Sequence, residues 1–461
     1  MSNSDTGAKS VEERIKVLFM VMEFAPLNTT GNFRSLKFVK YFREHGIEPI
    51  VVTFTPESAA NLWPKARIDD ELLDEIPEET TVYRIPAEDR RKHYSSKLRS
   101  FITVYFHIED NVARLWKANL MEAIDDIIEK HKPQVLLTSV PPFSSGGLAA
   151  HVSRKFSLPL VIDMRDAWSQ WGHQPFGSYL HYLLTLRKER SNFKTAKAIV
   201  GVTPQLIRDF ARAHPGLDKN KFHFIPNGFD DDTEIPSDIE TSTKEDKKVI
   251  IGYVGSFYYS PHSHKQIFMP WWKRKRHRKL QYVPVKENWK YRSPYFFLKT
   301  LARAFEKAPK LKSRVEFHFV GRIPEWLGEM LGEFDLKDNF KSYGFVPHSE
   351  ALRIQKSFDY FLTTSEKVEG GDHYCLPSKI FDYVRMRKPI LAFVTAGIQR
   401  EFISKSGLGL IMDPDDTENA STQLMEVLKN GIKLQPNPQY LQNFHRRNIT
   451  QNMSGVIKTV I

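Results

Sequence analysis

The chain has 461 residues, of which 41% are hydrophobic and 26% charged, and a net charge of +12. Such a length calls for two or three domains rather than one core, and the balance of apolar and charged residues excludes a disordered or fibrous chain. The lone Cys375 excludes an intramolecular disulfide and a cysteine-based metal cluster.

No apolar run approaches the roughly 18 residues needed to span a bilayer. Val17 to Met22 is too short for the core of a signal peptide. A cytoplasmic location is therefore expected. The positive excess, with a pI near 9.4, points to a polyanionic neighbour: nucleic acid, an anionic membrane surface or phosphorylated substrates.

Residues 15 to 22 (IKVLFMVM), apolar from Val17 onward, read as a buried parallel strand. A loop of small residues follows through Gly31 and Asn32, then an amphipathic basic helix over Phe33 to His45, closed by Gly46, and a strand over Pro49 to Thr53. In open α/β sheets, ligands bind at such loops beyond the carboxyl ends of strands. The pattern recurs. A helix over Leu120 to His131 precedes a strand over Val135 to Thr138, and further strands lie over Leu158 to Asp163 and Ala198 to Val202. This alternation predicts a parallel, doubly wound sheet.

Residues 230 to 248 are polar and without periodicity, as in a linker. Alternation then restarts, with strands over Val249 to Gly255, Val315 to Arg322, Phe358 to Thr364 and Ile390 to Val394, and Gln439 to Ile461 reads as a last helix. The expected division is 1–240, a second Rossmann-like domain at 241–440, and a closing helix at 441–461.

The segment most telling for function is Leu376-Pro377-Ser378-Lys379-Ile380-Phe381-Asp382-Tyr383. A Pro-Ser turn opens a helix with Lys379 in its first turn and Asp382 three residues on. A helix N-terminus favours phosphate, Lys379 adds a full charge, and the carboxylate can accept from sugar hydroxyls. The same pattern also suits an amphipathic helix with a surface Lys and Asp.

This segment resembles the donor-sugar motif of family 4 glycosyltransferases, which have the GT-B fold: two Rossmann-like domains facing each other across a cleft, with a C-terminal helix crossing back to the first. Glu369-Gly370-Gly371 stands for the family's first acidic residue and Asp382 for its second, at a longer spacing than the usual one. Gly31, Asn32 and Arg34 resemble the N-terminal loop that faces the donor phosphates; the lesser alternative for Gly31 is a simple turn glycine. Gly255-Ser256-Phe257 is similar to the glycine loop beside the diphosphate, and Arg292 stands for the family's arginine, displaced by an insertion at 259–290. Arg322 and Val346 fall in segments similar to the wall of the nucleotide-base site. Pro226-Asn227-Gly228 resembles the signature at the domain junction. Where many relatives carry a histidine, this chain has Arg165-Asp166; these fit a catalytic role or a buried structural pair.

The resemblance implies retaining transfer of a sugar from a nucleotide-diphosphate donor to a glycan or lipid-linked acceptor, in cell-surface polysaccharide assembly. Arg292 and Lys379 would stabilise the departing diphosphate without a metal, and Glu369, Ser378 and Asp382 would hold the donor. No cofactor is implied. No run of His, Asp or Glu has metal-ligand spacing. Arg90 to Tyr94 and Phe101 to Phe106 suit either a lipid-linked acceptor or a packing hairpin.

Seven Lys and Arg fall between Lys265 and Lys279, with Phe268, Trp271 and Trp272 among them and no acidic residue. Tryptophan suits a membrane interface and basic residues suit anionic headgroups, which would place the enzyme peripherally on the inner face of the membrane. A solvated loop or a clamp for a partner subunit fits the same composition. Basic residues interleaved with aromatics also suit single-stranded nucleic acid, so the alternative class is a nucleic-acid-binding protein on a degenerate scaffold.

Overall fold

The computed structural model describes residues 14–64, 66–88, 112–170, 172, 175–230, 238–241 and 248–461. The segments 90–94 and 101–106 read above lie outside the described residues.

Seven parallel strands form the first sheet. Its order is Thr81–Ile85, Ile47–Phe54, Ile15–Met20, Val135–Val140, Leu160–Met164, Ala198–Gly201 and Phe222–Phe224. Its central strands are rich in apolar residues because both faces are covered. Leu18 and Met20 pack into one buried cluster, while Val17 and Phe19 pack into another on the opposite face.

The second sheet has six parallel strands, in the order Phe340–Gly344, Val315–Val320, Val249–Val254, Tyr360–Thr364, Ile390–Phe393 and Gly409–Met412. It too divides its side chains, Ile251 and Leu362 to one cluster and Phe361 and Ile390 to the other. In each sheet the strand order reverses beside the first strand. A doubly wound sheet binds its ligand at such a switch point.

Two features differ from the sequence reading of the junction. The polar stretch after residue 230 contains a strand, Ile239–Thr241, paired antiparallel with Ile432–Leu434. The closing segment is two helices, Pro438–Gln442 and Arg446–Lys458. The second crosses back to bury Ile449, Met453 and Ile457 beside Val17 and Phe38 of the first domain.

Arg34 does not face the cleft. It is 5% exposed and meets Asp163 through Nη2 at 2.8 Å and through Nε at 3.0–3.1 Å. It also donates to the carbonyls of Ile225 and Pro226. A buried guanidinium needs this full set of acceptors, so Arg34 ties the first helix to the sheet and the domain junction.

The insertion at 259–290 is folded. It contains the helix Pro261–Phe268 and buries Ile267 and Trp289. Its strand Glu287–Asn288 pairs antiparallel with Lys367–Val368. Backbone bonds of 2.8 and 3.0 Å join Phe176 and Tyr282, and the Tyr282 ring lies 4.9 Å from Tyr179 and 4.8 Å from Tyr182. The insertion is therefore a strap from the second domain onto the first. Among the described residues, no helix is long and apolar enough to cross a membrane.

Candidate active site

The carboxyl edges of the two sheets supply the groups of the cleft. On the first domain, Glu23 follows the first strand and Arg165-Asp166 follows Leu160–Met164. Arg165 Nη2 donates to Glu23 Oε1 at 3.0 Å and to the Pro141 carbonyl. Its guanidinium lies against Gly31: a Cβ there would stand 1.9 Å from Arg165 Nη1. A side chain at Gly31 would displace the Arg165 guanidinium and the Glu23 carboxylate. Asp166 is half-buried. Burial raises its pKa, opposed by the charges of Arg165 and of Arg292 from the other domain. Asp166 and Arg292 therefore face each other electrostatically across the cleft.

On the second domain, Arg292 is 9% exposed. Its Nη1 donates to Glu366 Oε2 at 3.2 Å and its Nη2 lies 3.6 Å from Cys375 Sγ. Its guanidinium sits 4.8 Å from the Trp289 ring centre and 5.5 Å from that of Tyr258. Burial works against its charge, but Cys375 and Glu366 beside it more than compensate, and its pKa is raised. The Cys375 thiol is pushed by burial up to about 11.

Lys379 opens the helix Lys379–Met386, whose cap residue Ser378 makes no side-chain capping bond. The first-turn N–H groups thus receive no acceptor from that hydroxyl. Lys379 Nζ donates to the Tyr253 hydroxyl and lies 3.8 Å from the ring centre. Burial first, and then the charge of Arg292, lower its pKa well below the ordinary lysine range. Gly255, at φ +109°, brings the backbone past this amine: a Cβ there would lie 3.6 Å from Nζ. Two cations thus converge beside a glycine loop and a helix start, an arrangement suited to a diphosphate.

Residues 32–228 match the family described as the glycosyl transferase 4-like domain, and residues 295–444 match glycosyl transferases group 1. Together the two matches span most of the sequence. The chain belongs to family 4 of the GT-B glycosyltransferases.

Solved structures share the fold at low identity. The lipopolysaccharide outer core galactosyltransferase WaaB aligns at TM-score 0.56 and 11% identity, over 97% of this chain and 100% of that one. Sucrose-phosphate synthase from Thermosynechococcus elongatus aligns at 0.54 and 13%, over 97% and 99%. A variant of S. aureus TarM, in complex with Fondaparinux, alpha-GlcNAc-glycerol and UDP, aligns at 0.52 and 11%, over 96% and 98%. No curated protein matches the sequence.

Within this glycosyltransferase the structure brings Arg292, Lys379 and Gly255 together, with Asp166 and Arg165 opposite. Other expected residues stand elsewhere. Glu369 is exposed, its carboxylate 3.6 Å from Lys286. The acidic partner of Arg292 is Glu366, 2% exposed, which sequence reasoning missed although it stands just beyond the carboxyl end of Tyr360–Thr364. The Phe257 ring is core, stacked 4.0 Å from Tyr253, so that side chain does not meet a donor. Ser256 is exposed, and its carbonyl accepts from the Tyr253 hydroxyl at 3.1 Å. Val346 packs on the core, and Arg322 is exposed beyond its strand. Asp382 is exposed, and its charge acts on both Lys379 and Arg446.

Asn32 is fully buried, and neither atom of its side-chain amide has a partner. Arg165 pairs with Glu23 rather than with Asp166. Glu287 and Tyr374 were also missed. Glu287 Oε1 accepts from the Gly172 N–H of the first domain at 3.3 Å and its Oε2 from Trp289 Nε1 at 2.8 Å. Tyr374 reaches over to pack against the first domain's core. Among the described residues, no group of three His, Cys, Asp or Glu is placed to hold a metal ion.

Proposed function

We propose that this glycosyltransferase transfers a sugar from a nucleoside-diphosphate donor to a glycan or lipid-linked acceptor, with retention, in cell-surface polysaccharide assembly. The observation that carries this reading is the convergence of Arg292 and Lys379 beside Gly255 and the start of Lys379–Met386. Arg292 and Lys379 take the charge that grows on the departing diphosphate. As the bond from the anomeric carbon to the diphosphate breaks, the acceptor oxygen bonds to the same face and its proton passes to the leaving phosphate. No strong protein base is then needed, and Asp166 orients the acceptor hydroxyl. Tests of purified protein against nucleotide sugars, with the product anomer read by NMR, check this directly. Inversion at the anomeric carbon would overturn the retaining route.

The diphosphate role predicts a proton linkage. The free site holds the Lys379 pKa low, and an adjacent diphosphate favours the charged amine and raises it. Between the two values, binding takes up a proton, so affinity falls as pH rises through the free-site value. Calorimetry of nucleoside diphosphate binding in buffers of different ionisation enthalpy should show net uptake in the wild type and a smaller uptake in Lys379→Met. Equal uptake in both would remove Lys379 from the diphosphate site.

Metal independence is part of the same proposal, because two side-chain cations and a helix start supply the charge a metal would bring. Transfer should persist in EDTA. Loss of transfer with chelation, restored by manganese or magnesium, would contradict it.

A further inference from the structure

Exposed apolar side chains cluster on one part of this molecule. Of the thirteen large hydrophobic residues exposed in the described structure, six fall on the strap or on the helix face it touches: Trp271, Trp272, Leu280, Tyr179, Leu180 and Leu183. The strap and that helix meet directly. Leu280 stands two residues from Tyr282, which is bonded to Phe176 through the backbone and rests on Tyr179. Leu180 and Leu183 continue along the helix Tyr179–Thr195 at a three-residue spacing, on the face that next carries the exposed Arg187. Lys265, Lys273, Lys275, Arg276 and Lys279 are all exposed around the apolar residues.

The strap is braced. Arg274 Nε donates to the Met269 carbonyl at 3.1 Å and its Nη1 to the Gln281 carbonyl at 2.8 Å. Trp326 Nε1 donates to the Tyr259 carbonyl at 3.1 Å. These bonds and the buried Ile267 fix the segment, so the two indoles are held outward by a folded element. An exposed apolar patch rimmed by charge marks an interaction surface.

We propose that this face, built from the strap and the start of Tyr179–Thr195, docks the enzyme on an anionic lipid bilayer. Two properties favour lipid over nucleic acid. Leu280, Leu180 and Leu183 are aliphatic, which suits hydrocarbon and offers no plane for stacking bases. Trp271 and Trp272 pack edge to face, at 6.1 Å and 89°, rather than as parallel platforms for successive bases. Indoles settle at the level of the headgroups. Each basic residue near an anionic leaflet improves partitioning roughly fivefold, an effect screened by salt. Both domains contribute to the face, so docking also holds the strap closed against the first domain. The inference is independent of the proposed chemistry, because it concerns binding and not transfer.

The test is co-sedimentation of the full chain with vesicles of phosphatidylcholine alone or mixed with phosphatidylglycerol. Retention by the mixed vesicles, falling several-fold between low and physiological salt, is expected. The triple variant W271S/W272S/L280S should lose at least about tenfold in partitioning, and the charge reversal K275E/K279E should abolish the preference for anionic lipid. Circular dichroism and thermal melting report whether each variant is folded, and the charge reversal alone decides if the triple variant is not. The proposal is overturned if the intact protein does not bind mixed vesicles, or if folded variants bind them unchanged. It is also overturned if a single-stranded oligonucleotide displaces the protein from them while the tryptophan substitutions leave oligonucleotide binding intact.

Discussion

Replacing Lys379 by alanine should lower kcat/KM for transfer by about 10² or more, the loss expected when a preorganised charge partner of a developing anion is removed. Lys379 is specific to this role on structural grounds. Among the described residues it makes no ion pair, its amine rests on Tyr253, and burial with Arg292 nearby makes its charge unfavourable in the empty site. A lysine held in that state gains from a diphosphate in a way that a surface lysine does not. Stability should change little or rise, since the empty site works against the charged amine. The contrasting substitution is Glu369→Ala. That carboxylate is exposed beside Lys286, and its loss should leave transfer within about twofold, as for a weak surface pair. If Glu369→Ala is the crippling change and Lys379→Ala is silent, the assignment of the donor site is wrong.

Arg34→Met should cost about 3–5 kcal/mol of stability, because it leaves the Asp163 carboxylate buried without its cation. Asp163 is 1% exposed, and apart from Arg34 its bond is with the Ser139 hydroxyl, at 2.8 Å. The same substitution releases the carbonyls of Ile225 and Pro226 at the junction. The urea midpoint should fall markedly, and the double variant Arg34→Met with Asp163→Leu should recover part of the loss. An unchanged midpoint in the single variant would show that this pair does not anchor the domain.

The sequence disclosed most where burial was two-sided. Ile390–Phe393 is apolar at every position, and Ile15–Met20 at every position but Lys16, because helices cover both faces. Thr81–Ile85 escaped notice because four of its five positions are only half-buried, and Phe222–Phe224 is the exposed edge of its sheet. In the site, Arg292 and Lys379 were legible through position and charge. Glu366, the acidic partner of Arg292, was not, because Glu369-Gly370-Gly371 stands three residues further on and resembles the family motif. The useful signal was its place directly after a strand at the switch point, which applies to Glu23 as well. The strap was read as surface because its buried residues, Ile267, Glu287 and Trp289, follow no period. Glu287 is met by Gly172 of the first domain, a contact that local sequence patterns do not encode.

The most direct measurement is thermal stabilisation of the purified chain by nucleoside diphosphates, compared with the Lys379→Ala and Arg292→Ala variants. At about 100 times its dissociation constant, the correct diphosphate should add roughly 2.7 kcal/mol to the wild type. The variants should gain far less at the same concentration. Stabilisation of the wild type and both variants to the same extent, or of none by any nucleoside diphosphate, would contradict the account.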